Sequence, residues 1–471
     1  MTQKAKFMVV GLAGVLAGAA LTLNLSAIAD KDAQTALPVE ELRAFTDVFA
    51  RIKSDYVEPV EDKKLITEAI NGMLTGLDPH SAYLDVEGFK DLQVGTQGEF
   101  GGLGIEVGME DGFVKVVSPI EDTPAFKAGV KPGDLIIKLD DTPVKGMTLN
   151  DAVKRMRGKP GSNIKLTIAR KGVDKPIVLT LTRAVIKIRS VKFKLLESGY
   201  GYVRVTQFQE HTGELLAEAL NKLYKDNKAP LRGLILDLRN DPGGLLNGAV
   251  AVTAAFVKPD SLVVYTEGRT EDAKMRLNAS REHYLRPMQL DYLKNIPEGV
   301  KQVPMVVLVN SGSASASEIV AGALQYHKRA VVMGTRTFGK GSVQTILPIG
   351  NGTAIKLTTA RYFTPSGRSI QAKGIEPDIV VEDPTMPSED EGMGIREADL
   401  DKHLSNPNGE DTPPLSKPSD VNKAPPADKP GRDGKDKKPA ALEPGEIVSK
   451  NDFQVNQALN LLKGLQIFQG R

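Results

Sequence analysis

Three short runs combine residue types that could make and break an acyl bond. The first is Asn310-Ser311-Gly312-Ser313-Ala314-Ser315-Ala316-Ser317-Glu318, which joins an apolar run to a helix-forming one. Ser315 and Glu318 stand three apart and spell a capping box, the ordinary use of a serine at a helix start. The same place suits a nucleophile, because a helix N-terminus is positive and the Ala316 N–H lies beside it, available to an oxyanion. The second run is Asp237-Leu238-Arg239-Asn240-Asp241-Pro242-Gly243-Gly244, a glycine turn between a strand and a helix. As a lone feature it is a connecting loop. If its strand and the serine strand are near neighbours in one parallel sheet, both loops converge at the carboxyl edge. The N–H groups of Gly244 and Ala316 then form a two-donor oxyanion hole.

The third run, Gly334-Thr335-Arg336-Thr337-Phe338-Gly339-Lys340-Gly341-Ser342, nearly fits the phosphate-binding pattern of glycine, four residues, glycine, lysine and a hydroxyl residue. Gly341 stands where the magnesium-binding hydroxyl belongs. Val343, Thr345, Ile346, Leu347 and Ile349 then continue as a strand, so no helix N-terminus is on hand for phosphate. A phosphate-loop nucleotidase is disfavoured, and Lys340, set between glycines, is left as the candidate base for a serine. A lysine that works as a base must lose its proton well below its ordinary range, a shift worth ~4–5 kcal/mol. Burial near a helix N-terminus, in an apolar, glycine-lined pocket, supplies such a shift. The other familiar serine arrangements are missing. No serine has glycine two residues away on both sides, and Ser162-Asn163-Ile164-Lys165 spells serine, two residues, lysine only within a turn and strand, where it reads as chance.

The elements that must position these residues follow from length and pattern. The chain has 471 residues, enough for two to four domains. Lys and Arg exceed Asp and Glu by 61 to 59, so no field of either sign marks a nucleic-acid partner. Absence of cysteine excludes a disulfide framework, thiolate zinc sites, iron–sulfur clusters and a cysteine nucleophile. His80, His211, His283, His327 and His403 are the five histidines, none within four residues of another, so no helical pair of metal ligands exists; the chemistry above calls for no metal or cofactor.

Lys4 and Lys6 precede an uncharged apolar run over residues 7–25, which ends in Ala27-Ile28-Ala29 before Asp30. That is the pattern of an export signal, cleaved or kept as a membrane anchor. Helical spacing follows over 40–52 (Leu42, Phe45, Val48, Phe49, Ile52) and again over 65–74. Short strands with glycine turns at 104–107, 113–117, 134–139 and 165–168, plus a helix at 150–156, read as a small β-rich module. Beyond it, continuous apolar strands at 233–238, 305–309 and 330–333 alternate with helices at 245–256 and 318–325. This predicts a mainly parallel sheet covered on both faces. Residues 405–444, rich in Pro, Asp and Lys, cannot bury enough apolar surface to offset ordering and read as disordered. A final helix over 453–468 either docks back or pairs with another subunit. The expected layout is an export segment 1–29, a helical region 38–98, the β-rich module 99–183, an α/β core 184–404, a linker 405–445 and a C-terminal helix 446–471.

In the module, Gly101-Gly102-Leu103-Gly104-Ile105 precedes an exposed strand, leaving backbone N–H groups to capture a terminal carboxylate while the peptide adds to the sheet edge. Together with Pro124-Ala125, Ala128-Gly129, Gly133-Asp134 and the helix walling the groove, this stretch resembles a PDZ domain. Gly102, Leu103, Gly104 and Ile105 would form its carboxylate loop.

On a larger scale, Ser313-Ala314-Ser315-Ala316-Ser317-Glu318, then Thr337-Phe338-Gly339-Lys340-Gly341-Ser342-Val343-Gln344, with the 237–244 turn and the PDZ-like module upstream, resemble the carboxyl-terminal processing, or tail-specific, proteases over about residues 40–378. The resemblance implies a mixed α/β protease core of the ClpP/crotonase-like kind with an inserted PDZ-like domain. It implies Ser315 as nucleophile, Lys340 as general base, Gln344 as the residue that orients the lysine, and Gly244 and Ala316 as oxyanion donors. It also implies a serine endopeptidase, periplasmic and either soluble or anchored to the inner membrane, that needs no cofactor and cuts proteins near apolar carboxyl tails. An adaptor protein, a membrane tether and self-association through the end helices are compatible partners. The alternative is an inactive scaffold that captures protein termini; intact Ser315, Lys340 and Gln344 favour the enzyme.

Overall fold

The computed structural model describes residues 38–120, 122–382, 395–409 and 447–469. The expected export segment and most of the expected linker lie outside them. The chain divides between Gly72 and Met73 into two units.

The first unit holds the helix Val39–Asp55 and most of the helix Asp62–Thr75. Glu40 and Glu41 in the first turn and Lys53 in the last complement the dipole of the first helix, none of whose residues is buried. Leu42, Phe45 and Val48 on it are exposed.

In the second unit, the β-rich module is an antiparallel sheet of Ile105–Glu110, Phe113–Pro119, Leu135–Leu139, Asn163–Ala169 and Ile177–Thr182, in that order. Along Asn163–Ala169, Ile164, Leu166 and Ile168 are buried while the residues between them are not, the period-2 signature of a half-buried strand. The helix Leu149–Met156 starts at Thr148, whose hydroxyl accepts the Asp151 N–H. A two-stranded ribbon, Glu99–Gly102 against Ala184–Lys187, closes the entry and exit of the module.

The core is built on a six-stranded sheet ordered Val191–Glu197, Tyr200–Val205, Gly233–Asp237, Met305–Val309, Val331–Gly334 and Ile379–Val380. All neighbours are parallel except the first pair. Gly233–Asp237 and Met305–Val309 are buried at every position because both faces are covered, which is why they read as unbroken apolar runs. Leu234, Leu236, Val307 and Val309 face the helices Thr212–Asn227, Leu246–Ala254 and Ala316–Tyr326. Ile235, Val306 and Leu308 face the other way, onto Val455, Ala458 and Leu462 of the C-terminal helix Phe453–Gln469. That helix docks back on its own sheet.

A second sheet was not expected. It is antiparallel, with Thr353–Phe363 at its centre against Ala82–Leu84, Leu262–Gly268 and Ser342–Gly350, and Arg276–Asn278 beyond. The ordered core also extends past the expected limit, to residue 409. Asn406 is buried and donates to the carbonyls of Ser369 and Gln371, which fastens a stretch that composition assigned to the linker.

Candidate active site

Three loops, 238–245, 310–315 and 335–341, leave the carboxyl ends of the adjacent parallel strands Gly233–Asp237, Met305–Val309 and Val331–Gly334. They carry the three runs singled out in the sequence, now at one sheet edge, where open α/β sheets bind their ligands.

Ser315 stands at the N-cap of the helix Ala316–Tyr326 with φ 55° and ψ −112°. That left-handed region is costly for a residue with a Cβ, on the order of 1–3 kcal/mol, and marks sites where the surroundings impose it. The expected capping box is present: Glu318 Oε2 accepts the Ser315 N–H at 2.8 Å, and the Glu318 N–H turns back to Ser315, whose carbonyl it also meets at 2.9 Å. The neighbouring serines differ. Ser313 Oγ donates to the Leu238 carbonyl at 2.8 Å and Ser317 Oγ to the Asp241 carbonyl at 2.9 Å, so both tie the serine loop to the 238–245 loop.

Glu318 is fully buried and gathers four donors on two oxygens. Oε1 accepts from Thr337 Oγ1 and from the Gly339 N–H at 2.8 Å, and Oε2 from the N–H groups of Ser315 and of Lys340 at 3.0 Å. Burial pushes its pKa up to about 7, while these hydrogen bonds act in the opposite direction. On the other side of the same two residues, the buried Tyr362 hydroxyl lies within reach of the carbonyls of Ser315, at 3.1 Å, and of Lys340, and donates to one at a time. Ser315 and Lys340 are therefore gripped by their N–H groups on one partner and by their carbonyls on another. Burial lowers the pKa of Lys340, and the like charge of Lys356 adds to that; the carboxylates of Glu397, Glu318 and Asp78 oppose it.

Gln344 follows a β-bulge between Val343 and Gln344. Its amide nitrogen donates to Ser342 Oγ at 3.0 Å and Thr358 Oγ1 at 3.2 Å, so its hydrogen bonds run to the sheet rather than to Lys340. Thr358 Oγ1 in turn donates to Asp78 Oδ1 at 3.1 Å.

The glycine turn packs directly on the serine. A Cβ on Gly243, whose φ is 97°, would stand 2.8 Å from Ser315 Cβ and 2.9 Å from the Ala316 nitrogen. One on Gly244, at φ 143°, would stand 2.1 Å from the Phe208 carbonyl oxygen. Only glycine gives this backbone its approach. Among the described residues the N–H groups of Gly244 and Ala316 have no acceptor within the chain. Asp241, inside the turn, is buried; its Oδ1 accepts the Gly243 N–H at 2.9 Å, whereas Oδ2 is buried without a hydrogen-bond partner. Burial raises its pKa to about 7.

In the module, Leu103 is buried and the Gly104 carbonyl accepts from Ile120, while Ile105 opens the strand Ile105–Glu110. That strand lies at the sheet edge, so one side of its backbone is unpaired and open to a further strand.

Sequence reasoning missed two residues. In the sequence Glu318 reads as a cap alone, although a carboxylate at the head of the otherwise apolar Ile319-Val320-Ala321-Gly322-Ala323-Leu324 signals a buried charge that needs partners. Tyr362 carries no local signal; its role exists only once the second sheet lays it against both loops.

An antiparallel module with an open edge strand thus precedes an α/β core whose three loops converge at one sheet edge. Residues 199–381 match the profile of "Peptidase family S41", 101–181 that of the "PDZ domain" and 8–88 that of the "Activating protease CtpB N-terminal domain". A carboxy-terminal-processing protease of Bartonella bacilliformis is 44% identical over 469 residues, covering 98% of this chain and 96% of that one. The carboxy-terminal processing protease CtpB of Bacillus subtilis is 37% identical, covering 80% and 76%. A solved photosystem II D1 C-terminal processing protease is 31% identical, with a TM-score of 0.41, covering 74% of this chain and 89% of that one. The chain belongs to peptidase family S41, among the carboxy-terminal processing proteases.

Proposed function

We propose that this protease works through Ser315 and Lys340, and that the PDZ domain presents the apolar carboxyl tail of its substrate. Neutral Lys340 takes the proton of Ser315 Oγ, which attacks the scissile carbonyl. The N–H groups of Gly244 and Ala316 hold the oxyanion, and the lysine then protonates the leaving amine. Water repeats the cycle on the acyl-enzyme with the same base. The observation that carries this reading is the strained Ser315, at φ 55°, sharing the Glu318 Oε2 acceptor with Lys340. Gln344, four residues beyond Lys340, is the residue that orients the lysine. The open edge of Ile105–Glu110, preceded by Gly102, Leu103 and Gly104, supports capture of a tail as an added strand.

The N-terminal pattern of Lys4, Lys6 and an apolar run supports export to the periplasm, either as a soluble enzyme or on an inner-membrane tether. Exposed Leu42, Phe45 and Val48 support self-association, and an adaptor that delivers substrates is compatible with the same surface. The test is incubation with a protein ending in an apolar tail. Wild type shortens it from the carboxyl side, and Ser315→Ala and Lys340→Ala do not; equal cutting by wild type and Ser315→Ala leaves the scaffold reading in its place.

A further inference from the structure

The 238–245 loop is wired to the far end of the chain. Arg239, one residue ahead of Asn240, is 8% exposed, and each of its five N–H groups is taken. Two go to Asp237: Nε to Oδ1 at 3.0 Å and Nη2 to Oδ2 at 2.7 Å. The other three go to the start of the C-terminal helix. Nη1 and Nη2 donate to Asp452 Oδ1 and Oδ2 at 3.1 and 2.8 Å, and Nη1 also donates to Gln454 Oε1 at 2.9 Å. Asp452 Oδ1 is at the same time the cap of that helix, accepting the Val455 N–H at 3.0 Å, and Gln454 Nε2 donates to the Val381 carbonyl at 2.6 Å. The helix covers one face of the parallel sheet with Val455, Ala458 and Leu462.

A buried guanidinium that loses one of its carboxylates is left partly unpaired, and such a charge is strongly destabilising where it stands. Without Asp452, Arg239 loses two of its five hydrogen bonds and keeps only Asp237 and Gln454 as partners. Its backbone continues straight into Asn240, at φ 56°, whose N–H donates to Asn310 Oδ1 at 2.9 Å while Asn310 Nδ2 donates back to Asn240 Oδ1 at 2.9 Å. The path from the C-terminal helix to both the glycine turn and the serine loop is continuous.

We propose that the C-terminal helix is a positioning element of the catalytic edge, with Asp452 as the positioning residue that acts through Arg239, so that the protease is competent only with this helix docked. This rests on the reading of Gly244 and Ala316 as oxyanion donors. It adds a control point: whatever pulls the helix from the sheet switches the enzyme off without touching Ser315, Lys340 or the PDZ groove.

The test uses the full chain with Asp452→Asn, Asp452→Glu and, as a control further along the same helix, Lys463→Ala, which removes the partly exposed pair with Glu197 and the cation over the Tyr200 ring while leaving Asp452 and Arg239 untouched. Each is assayed for kcat and KM on a soluble peptide substrate well below its melting midpoint, with amide exchange over 455–465 reporting docking. Asp452→Asn lowers kcat by on the order of tenfold or more with KM within about twofold, Asp452→Glu recovers most of the rate, and Lys463→Ala matches wild type. Wild-type kcat in Asp452→Asn overturns the proposal, as does a loss that follows the midpoint and raises KM in step. Ser315→Ala in the same assay separates the two readings. Cutting at the wild-type rate there removes the serine mechanism, whereas an inert Ser315→Ala beside a fully active Asp452→Asn removes only the coupling.

Discussion

Ser315 and Lys340 hang from the same atom: Glu318 Oε2 accepts the backbone N–H of the serine at 2.8 Å and of the lysine at 3.0 Å. Residues 25 apart in sequence are thereby fixed to each other through one buried carboxylate, with the Tyr362 hydroxyl closing the bracket on their carbonyls. Four donors converge on the two oxygens, so the acceptor-only form of the carboxylate is the one this geometry fits. Glu318→Gln turns an NH2 toward two of those donors. We expect kcat to fall by about 100-fold and stability by about 1–3 kcal/mol, measured as steady-state kinetics and a denaturant midpoint; unchanged kcat would show that the two loops hold each other without it.

The base has a like-charged neighbour. Lys340 is lowered from its usual range first by burial and then by Lys356. With Lys340 as the proposed base, activity requires its neutral amine and rises with pH through the Lys340 pKa. Removing the neighbouring charge with Lys356→Met raises that pKa and moves the rising limb of kcat against pH to higher pH. A limb that stays in place would remove Lys356 from the tuning of the base.

Asp241 sets an opposite limb. With its pKa raised by burial to about 7, its carboxyl is neutral below that pH and ionised above it, and the new charge lies beside the proposed oxyanion hole. For an acid raised on folding, the stability it allows is fully present below its ordinary range and is lost as pH climbs through the folded value. Relative to Asp241→Asn, which keeps the shape and the Gly243 contact but cannot ionise, wild type is therefore expected to lose melting temperature between about pH 4 and 7 and to lose activity as pH climbs through about 7. Parallel pH profiles for the two proteins would refute this.

Gly244 tolerates no side chain. A methyl group there meets the Phe208 carbonyl at 2.1 Å and must also adopt φ 143°. Gly244→Ala is expected to shift the turn off Ser315 and reduce kcat by about 100-fold or more while leaving tail binding to the isolated function of the PDZ groove unchanged, as read by peptide affinity.

The reason much of this was legible lies in burial. The unbroken apolar runs Gly233–Asp237 and Met305–Val309 exist because both faces are covered, so their type and the loops that leave their carboxyl ends could be read directly. The strand Thr353–Phe363 is mostly half-buried and pairs with segments as distant as Ala82–Leu84, so nothing local announces the second sheet or the placing of Tyr362. Glu318 was masked by a sufficient local explanation, the helix cap. Asp452 was masked by distance, because its partner Arg239 lies at the other end of the core and a polar residue ahead of a helix needs no partner to be understood. The amide nitrogen of Gln344, just past a bulge, is bonded to Ser342 and Thr358, partners that no local pattern announces.

The central claim is that Lys340 activates Ser315. The most direct measurement is peptide mapping by mass spectrometry after reaction with a fluorophosphonate that phosphonylates activated serines. The account predicts a single adduct on Ser315 in the wild type, none in Ser315→Ala, and labelling slowed by on the order of 100-fold or more in Lys340→Met at a pH where the wild type is active. An adduct on another serine, or undiminished labelling of Ser315 in Lys340→Met, would contradict it.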